Sequence, residues 1–124
     1  MREILFRGRG NTKYNDGEWY YGVPIRDFEG DWQICTDNSK RTVIPETIGQ
    51  YTGLADKNGT KIFEGDIVDI LTENEEIGVI TWADDEAMFI VDSDGWYANF
   101  DNYYSTDLEV IGDIHDNPEL LGGK

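Results

Sequence analysis

Two side chains in this sequence are candidates for nucleophilic catalysis, one cysteine and one histidine. Cys35 and His115 are the single residues of their kinds among the 124 residues. A cysteine nucleophile needs a nearby base to form its thiolate. Cys35 falls in an apparent strand and His115 in the C-terminal tail, so their spacing does not pair them. We predict that Cys35 is a small core side chain, that His115 is a surface or packing residue, and that the protein is not an enzyme.

Carboxylates are abundant, and one run of them resembles a cation site. Asp92-Ser93-Asp94-Gly95 is similar to the opening of a calcium loop, but Trp96 and Phe100 follow where further acidic ligands are needed. A hairpin turn is the better interpretation. The sequence also lacks a glycine-rich phosphate loop with its lysine, because Gly8-Arg9-Gly10-Asn11 has no such context. It therefore predicts no metal site and no cofactor.

Aromatic side chains beside carboxylates suggest a surface for recognition. Adjacent aromatics such as Trp96 and Tyr97 point to opposite faces of a strand, so some aromatic surface stays exposed. Such surfaces suit protein interfaces or sugar stacking. The alternative is that each pair spans the core and an adjacent subdomain or subunit. The candidate interaction surface comprises Asp84, Asp85, Glu86, Asp92, Asp94, Trp96, Tyr97, Tyr103 and Tyr104.

The charge is distributed unevenly along the chain. The formal net charge is −16, yet residues 1–61 contain nine acidic and nine basic side chains. Residues 62–123 contain seventeen acidic side chains and no lysine or arginine. Such a surface repels nucleic-acid phosphates and anionic membranes, whereas a basic protein partner or metal cations remain compatible with it. The acidity either keeps a small β protein soluble and protects its sheet edges, or forms a docking face.

The cysteine count and the hydropathy of the sequence limit the cellular compartment in which we expect the protein. One cysteine cannot form an internal disulfide, and no secretory signal precedes the first predicted strand. A membrane span needs about 20 apolar residues, whereas the longest clear apolar run, residues 88–91, has the length of a strand. We expect a cytoplasmic protein without a membrane anchor.

Turn residues divide the first half of the chain into short strand-like segments. Residues 2–8 and 18–25 alternate like strands, and Pro24 limits the second segment to a sheet edge or ends it. A third strand includes Trp32 and Ile34, and one helical or 3₁₀ turn is predicted near Pro45. No internal sequence repeat is visible.

The second half is more regular and predicts five strands. They are drawn at residues 66–71, 77–82, 87–91, 96–100 and 107–112. Five short strands joined mainly by tight turns favour a small SH3-like barrel, with an open meander as the alternative. In the tail, Pro118 at a first helical position predicts one helical turn. The predicted fold is mainly β: a β-rich N-terminal subdomain (1–62) packed on an SH3-like barrel (63–124), with a short C-terminal helical turn.

The central segment, residues 50–68, is the most distinctive part of the chain. It reads QYTGLADKNGTKIFEGDIV, with a hairpin turn at Asp56-Lys57-Asn58-Gly59 and a second turn at Gly65. Together with MREILFRG at the start, GVITW and the closing LEVIGDIHDNPELL, it resembles the YopX family from Met1 to about Leu121. The resemblance implies a phage or prophage protein of uncharacterised function, with a β-rich N-terminal part and an SH3-like barrel towards the C-terminus. It implies no catalytic residues.

Three functions are compatible with these observations. The first is a non-catalytic protein-interaction module, a phage accessory protein that binds a host or phage protein. The second is an acidic mimic of nucleic acid that inhibits a host DNA-binding protein. The third is weak nucleic-acid binding, for which the fold alone is only an analogy, and it would use Arg2, Arg7, Arg9, Lys40 and Arg41. Self-association is compatible with all three.

Overall fold

The computed structural model describes residues 3–11, 17–71, 76–93, 96–99 and 108–121, with the backbone alone for 96–99. The chain divides into two compact units, residues 1–51 and 52–124. The described residues form antiparallel strands and two 3₁₀ turns, which confirms the mainly β fold class. No helix in these ranges is long and apolar enough to cross a membrane. The predicted subdomain boundary after residue 62 stays a prediction.

The first unit is built on five antiparallel strands, the last of which continues past residue 51. They are β1 Phe6–Arg9, β2 Trp19–Arg26, β3 Trp32–Cys35, β4 Lys40–Thr42 and β5 Gly49–Ala55, with a 3₁₀ turn at Pro45–Thr47 before β5. Their order across the sheet is β4–β3–β2–β1–β5. The buried side chains of Ile34 and Val43 lie in the core. The predicted 3₁₀ turn is confirmed, whereas β1 begins later than predicted and leaves Ile4 exposed.

Strand β2 has a different partner along each half of its length. Residues 19–22 pair with β1, and residues 23–26 pair with β3. Pro24 therefore lies where β1 no longer accompanies β2, so its missing N–H removes no hydrogen bond to β1. The proline neither ends the strand nor disrupts the sheet, in line with the local edge position that the sequence indicated.

The second unit contains the end of β5 and six further strands. They are β6 Lys61–Phe63, β7 Asp66–Ile70, β8 Glu76–Ala83, β9 Met88–Ser93, β10 Trp96–Asn99 and β11 Leu108–Asp113, followed by a 3₁₀ turn at Pro118–Leu121. Strands β7 to β11 correspond to the five predicted strands, and the predicted C-terminal turn begins at Pro118 as expected. Strands β7 to β11 form a five-stranded sheet in the order β10–β9–β8–β7–β11, whereas β6 pairs with β5 as the last strand of the six-stranded sheet β4–β3–β2–β1–β5–β6.

The SH3-like barrel predicted for the second half is not confirmed. In the described residues the sheet is open, with β10 at one edge and β11 at the other. The sequence predicted the strands because each is bounded by turn residues. Closure depends on whether the edge strands pair, and strand number and length do not determine that. The segment that connects β10 to β11 lies outside the described residues.

One face of the second sheet forms the core of its unit. Burial alternates over the middle of β8, whereas consecutive residues are buried in β7 (Ile67 and Val68) and in β9 (Ile90 and Val91). The fully buried core consists of Ile62, Val68, Ile70, Ile80, Val91 and Leu108, with Phe89 and Val110 partly buried against it. Burying an isoleucine, valine or leucine side chain contributes about 1.5–3 kcal/mol, so this cluster stabilises the arrangement of β6 to β9 and β11.

Strand β8 passes close to β9 at a glycine. A Cβ atom at Gly78 would lie 2.5 Å from Cγ1 of Val91, which is too close for any side chain. Gly22 of β2 is in the same situation, because a Cβ there would lie 1.9 Å from the carbonyl oxygen of Cys35 in β3. In both units the second strand therefore needs a glycine at the point where the third strand approaches it most closely.

Asp56 holds the central hairpin that distinguishes the sequence. Its carboxylate is 4% exposed and accepts three backbone hydrogen bonds of 2.9 Å, from the N–H groups of Asn58, Thr60 and Val110. Gly59 supplies the positive φ, 85°, that this turn requires. The carboxylate therefore orders its own turn and attaches that turn to β11.

These contacts lower the pKa of Asp56. Burial alone would raise the pKa, but the backbone donors of Val110, Thr60 and Asn58, together with the charge of Lys57, stabilise the ionised form more strongly. The ionised carboxylate consequently contributes to stability at neutral pH.

We expect alanine at Gly78 to lower the free energy of unfolding by about 1–3 kcal/mol, because the added methyl group overlaps Val91. Alanine at Gly22 should cost more, since the obstacle there is a backbone carbonyl that cannot rotate away. Urea unfolding followed by circular dichroism measures both changes. A Gly78→Ala variant as stable as the wild type would contradict this packing.

We expect Asp56→Asn to lower the free energy of unfolding by about 1–3 kcal/mol at pH 7, because the amide leaves a buried N–H without an acceptor. A lowered carboxyl pKa stabilises the fold above the unfolded pKa of about 3.9, and this contribution disappears as pH falls through the folded pKa. The difference between wild type and variant should therefore stay constant from pH 7 to about pH 5 and narrow below about pH 4. Unfolding curves at each pH test this, with exposed Asp37→Asn as the control. A difference that grows on acidification would contradict the assignment.

Candidate protein interaction surface

The loop end of the β8–β9 hairpin combines an exposed aromatic ring with three carboxylates. Trp82 and Phe89 face each other across the two strands, and Ala83 pairs with Met88 at the end of the ladder. Residues 84–87 form the turn, which the N–H of Glu86 stabilises by donating to the carbonyl of Ala83 at 3.2 Å. We refer to residues 82–89 as the β8–β9 end.

Trp82 is the aromatic side chain of this end and is 42% exposed. Its ring meets that of Phe89 edge-on, with centroids 5.0 Å apart and an interplanar angle of 75°. Such a pair contributes about 0.5–1.5 kcal/mol beyond the area it buries, so Phe89 orients the tryptophan and leaves part of its surface open. Trp82 is not part of the candidate surface predicted from the sequence. Along β8 it lies on the same face as the buried Ile80, yet it is exposed.

The carboxylates of the β8–β9 end are Asp84, Asp85 and Glu86, and all three residues are exposed. Within the part of the chain that the structure describes, no lysine or arginine forms an ion pair with them. The cause lies in the sequence, since residues 62–123 contain no basic side chain apart from the histidine. The end therefore concentrates negative charge beside an aromatic ring.

The structure divides the predicted interaction surface into two parts. Asp84, Asp85 and Glu86 precede β9, whereas Asp92 lies near its other end and is exposed. At about 3.3 Å per residue, four residues of strand separate Met88 from Asp92 by about 13 Å. Tyr97 of β10 pairs with Asp92, and Trp96 pairs with Ser93, so these positions belong to the far end of the hairpin. This pairing also confirms the prediction that β9 and β10 form a hairpin. Asp94, Tyr103 and Tyr104 lie outside the described residues.

Several acidic side chains of the second unit are structural. Asp66 is 2% exposed, and its Oδ2 accepts a hydrogen bond from the N–H of Phe63 at 2.8 Å. Asp113 is also buried, and its Oδ1 accepts from the N–H groups of His115 and Asp116 at 2.9 Å each. Asp56 acts in the same way. These carboxylates order turns and do not contribute to an acidic surface.

The basic residues of the first unit interact largely with its own aromatic rings. The guanidinium carbons of Arg7 and Arg9 lie 4.2 Å and 4.5 Å from the ring centroid of Trp19, and Arg7 is only 7% exposed. The guanidinium carbon of Arg41 lies 5.5 Å from the ring centroid of Tyr20. Of the other predicted phosphate contacts, Lys40 is exposed, and Arg2 lies outside the described residues.

An open groove of about 500 Å³ lies on the first unit. Its lining includes Ile4, Tyr21, Val23, Cys35 and Asp37, and the first three of these are exposed. Cys35 is a free thiol of intermediate burial, so the prediction of a core cysteine is wrong. The core position of β3 is taken by its neighbour Ile34, since alternation sends the two side chains to opposite faces.

A second acidic cluster lies in the turn between β2 and β3. One carboxylate oxygen from each of Asp27, Glu29 and Asp31 lies within 4.8 Å of the others. Oδ1 of Asp27 accepts the N–H groups of Glu29 and Asp31 at 2.9 Å each, so this group orders the turn. His115 lies exposed in the turn of residues 114–116 that follows β11, in line with the prediction of a surface or packing residue.

Comparison with known proteins identifies relatives of the whole chain. The family model described as YopX protein matches residues 9–122. The crystal structure of protein EF1440 from Enterococcus faecalis is similar, with a TM-score of 0.55 and 24% sequence identity. That alignment covers 98% of this chain and 100% of the other, and at this identity it shows the fold alone. Comparison with curated proteins finds no match.

We expect Ala87→Gly to raise the free energy of unfolding by about 0.5–1 kcal/mol, because Ala87 has a φ of 52°, where glycine has no Cβ penalty. The matched control is Ala83→Gly in β8, which should lower stability by about 0.5–1 kcal/mol. Urea unfolding measures both. A destabilised Ala87→Gly variant would show that the turn has another geometry.

Proposed function

Because this chain belongs to the YopX family, we propose that it is a non-catalytic protein-interaction module. In this proposal it is a phage or prophage accessory protein that acts in the host cytoplasm and binds a basic surface of a host or phage protein. The observation that carries the proposal is the β8–β9 end, where the 42% exposed Trp82 and the exposed acidic residues Asp84, Asp85 and Glu86 lie within one hairpin end.

The chemistry of the β8–β9 end suits protein recognition. Tryptophan is enriched among the residues that dominate binding energy at interfaces. Carboxylates without an internal counterion attract a basic partner over distance and raise the association rate. The hairpin also holds the ring and the charges on a rigid element, since β8 and β9 pair from Gly78–Ser93 to Ala83–Met88.

Catalysis has less support in the described residues. Cys35 lines an open groove of the first unit, and His115 lies exposed in the turn that follows β11 in the second. No contact between these two side chains is described in the structured ranges. A catalytic role would need a nucleophile and a base within hydrogen-bonding distance.

Mimicry of nucleic acid is the second candidate, and the distribution of the acidic residues argues against it. A mimic needs regularly spaced carboxylates on one continuous face. Here Asp56, Asp66 and Asp113 are buried in turns, and Asp92 is separated from the β8–β9 end by the length of β9.

Direct nucleic-acid binding through the first unit is also less favoured. A phosphate contact needs an accessible cation, whereas Arg7 is buried and stacks on Trp19 together with Arg9. Arg41 likewise lies over Tyr20.

The proposal is tested by affinity capture from host lysate with two variants of equal net charge. The first neutralises the β8–β9 end with Asp84→Asn, Asp85→Asn and Glu86→Gln. The second neutralises three exposed acids elsewhere with Asp37→Asn, Glu46→Gln and Glu119→Gln. We expect a protein that the wild type and the second variant enrich equally, and that the first variant enriches at least about tenfold less, as for the loss of about 1.4 kcal/mol.

Equal capture by both variants would show that net charge, and not this surface, determines binding. Failure of the wild type to enrich any protein at moderate salt would count against an interaction module altogether.

A further inference from the structure

The turn between β5 and β6 contains the one asparagine of the chain that a glycine follows. Among the asparagines of the sequence, only Asn58 precedes a glycine, Gly59. Both residues are exposed to solvent. Asparagine is thermally labile, and a following glycine has no Cβ that would shield the side-chain amide from the next backbone nitrogen. This pair therefore has the composition and the exposure that deamidation requires.

Deamidation of this pair needs water as its only co-reactant. The backbone nitrogen of Gly59 loses its proton to solvent and attacks Cγ of Asn58. A C–N bond forms, the Cγ–Nδ2 bond breaks, and the leaving nitrogen takes up a proton and departs as ammonia. Water then opens the cyclic succinimide at either carbonyl and gives aspartate or isoaspartate. The net change replaces the side-chain amide group by a carboxylate, and nothing is oxidised or reduced.

Asp56 holds the reacting nitrogen and the backbone on both sides of it. Its carbonyl accepts the N–H of Gly59 at 3.0 Å, and its Oδ1 accepts the N–H groups of Asn58 and Thr60 at 2.9 Å each. While these hydrogen bonds are present, the Gly59 nitrogen keeps its proton and the turn keeps its shape. The reaction must therefore start from an opened turn, so Asp56 controls its rate.

The side chain of Asn58 takes part in attaching this turn to β11. Its Nδ2 donates to Oε2 of Glu109 at 3.4 Å, and Nζ of Lys57 lies 3.6 Å from Oε1 of the same carboxylate. The N–H of Lys57 also donates to the carbonyl of Leu108 at 3.0 Å. An aspartate at position 58 replaces the donor by a carboxylate, which repels Glu109 and competes with it for Lys57. Isoaspartate also lengthens the backbone inside the turn. Either product weakens the attachment.

We propose that Asn58 is a site of spontaneous deamidation in the folded protein, that Asp56 controls its rate, and that the conversion loosens the turn from β11. The chain then changes with age from a form with the turn attached to a form with the turn released. This inference is independent of the proposed protein-interaction function, because no residue of the β8–β9 end takes part.

The rate is tested by incubating the full chain at mildly alkaline pH and following residue 58 by peptide mass spectrometry. We expect the folded wild type to convert measurably, but at least about fivefold more slowly than the chain unfolded in guanidinium chloride, the factor that one backbone hydrogen bond supplies. Asp56→Ala should raise the rate of the folded chain at least about fivefold, because it removes the acceptor of two N–H groups. Gly78→Ala, which destabilises the same unit at another place, should convert at the wild-type rate.

Three results would overturn the inference. Absence of conversion in the folded wild type would remove the site, and equal rates in the folded and unfolded wild type would remove control by the turn. A rate in Gly78→Ala that rises as much as in Asp56→Ala would assign the reaction to global unfolding. Circular dichroism confirms that each variant is folded, and the comparison of folded with unfolded wild type depends on no variant.

The loosening is tested with Asn58→Asp, which reproduces one product, against Asn38→Asp, an exposed control of equal net charge. Asn58→Asp should unfold at a lower urea concentration, because position 58 faces Glu109. Hydrogen exchange of the Val110 N–H, which donates to Asp56, should accelerate in Asn58→Asp and not in the control. Equal unfolding and equal exchange in the two variants would contradict the loosening.

Discussion

Both units depend on one steric constraint: the third strand approaches a glycine of the second strand so closely that no side chain fits there. At Gly22 and at Gly78 the neighbouring strand occupies the space of a Cβ atom. This close approach lies where the second strand changes from pairing with the first strand to pairing with the third. It therefore sets the register of the second–third strand hairpin, and through that register it brings Arg26 to Trp32 in one unit and Trp82 to Phe89 in the other. The candidate site follows from a steric requirement several residues away.

The acidity of the chain has two physical roles that composition does not separate. Asp56, Asp66 and Asp113 are buried and accept backbone N–H groups, so they act as parts of turns. For Asp56 these donors outweigh the cost of burial and lower its pKa. Asp84, Asp85 and Glu86 of the β8–β9 end are exposed and form no ion pair with a described residue. Exposed acids, and not the buried ones, attract a partner, so the effective recognition charge is smaller than the net charge of −16 suggests.

Much of the fold could be predicted from the sequence, because short alternating segments and strong turn residues are local signals. The five strands of the second half, the hairpin of β9 and β10 and the turn at Pro118 are confirmed within a few residues. Barrel closure is a non-local property, and its prediction is not confirmed. Of the candidate site, the carboxylates were predicted, but Trp82 was not, since alternation assigns it to the core and only its place at the strand end leaves it exposed.

The central claim is that this protein recognises its partner through the β8–β9 end. Nuclear magnetic resonance of the labelled full chain, titrated with the captured partner, tests this claim most directly. We expect the largest chemical-shift changes on the Trp82 indole N–H and on the amides of residues 83–88. Chemical-shift changes confined to the groove that Tyr21, Val23 and Cys35 line, with the Trp82 signal unmoved, would contradict recognition through the β8–β9 end.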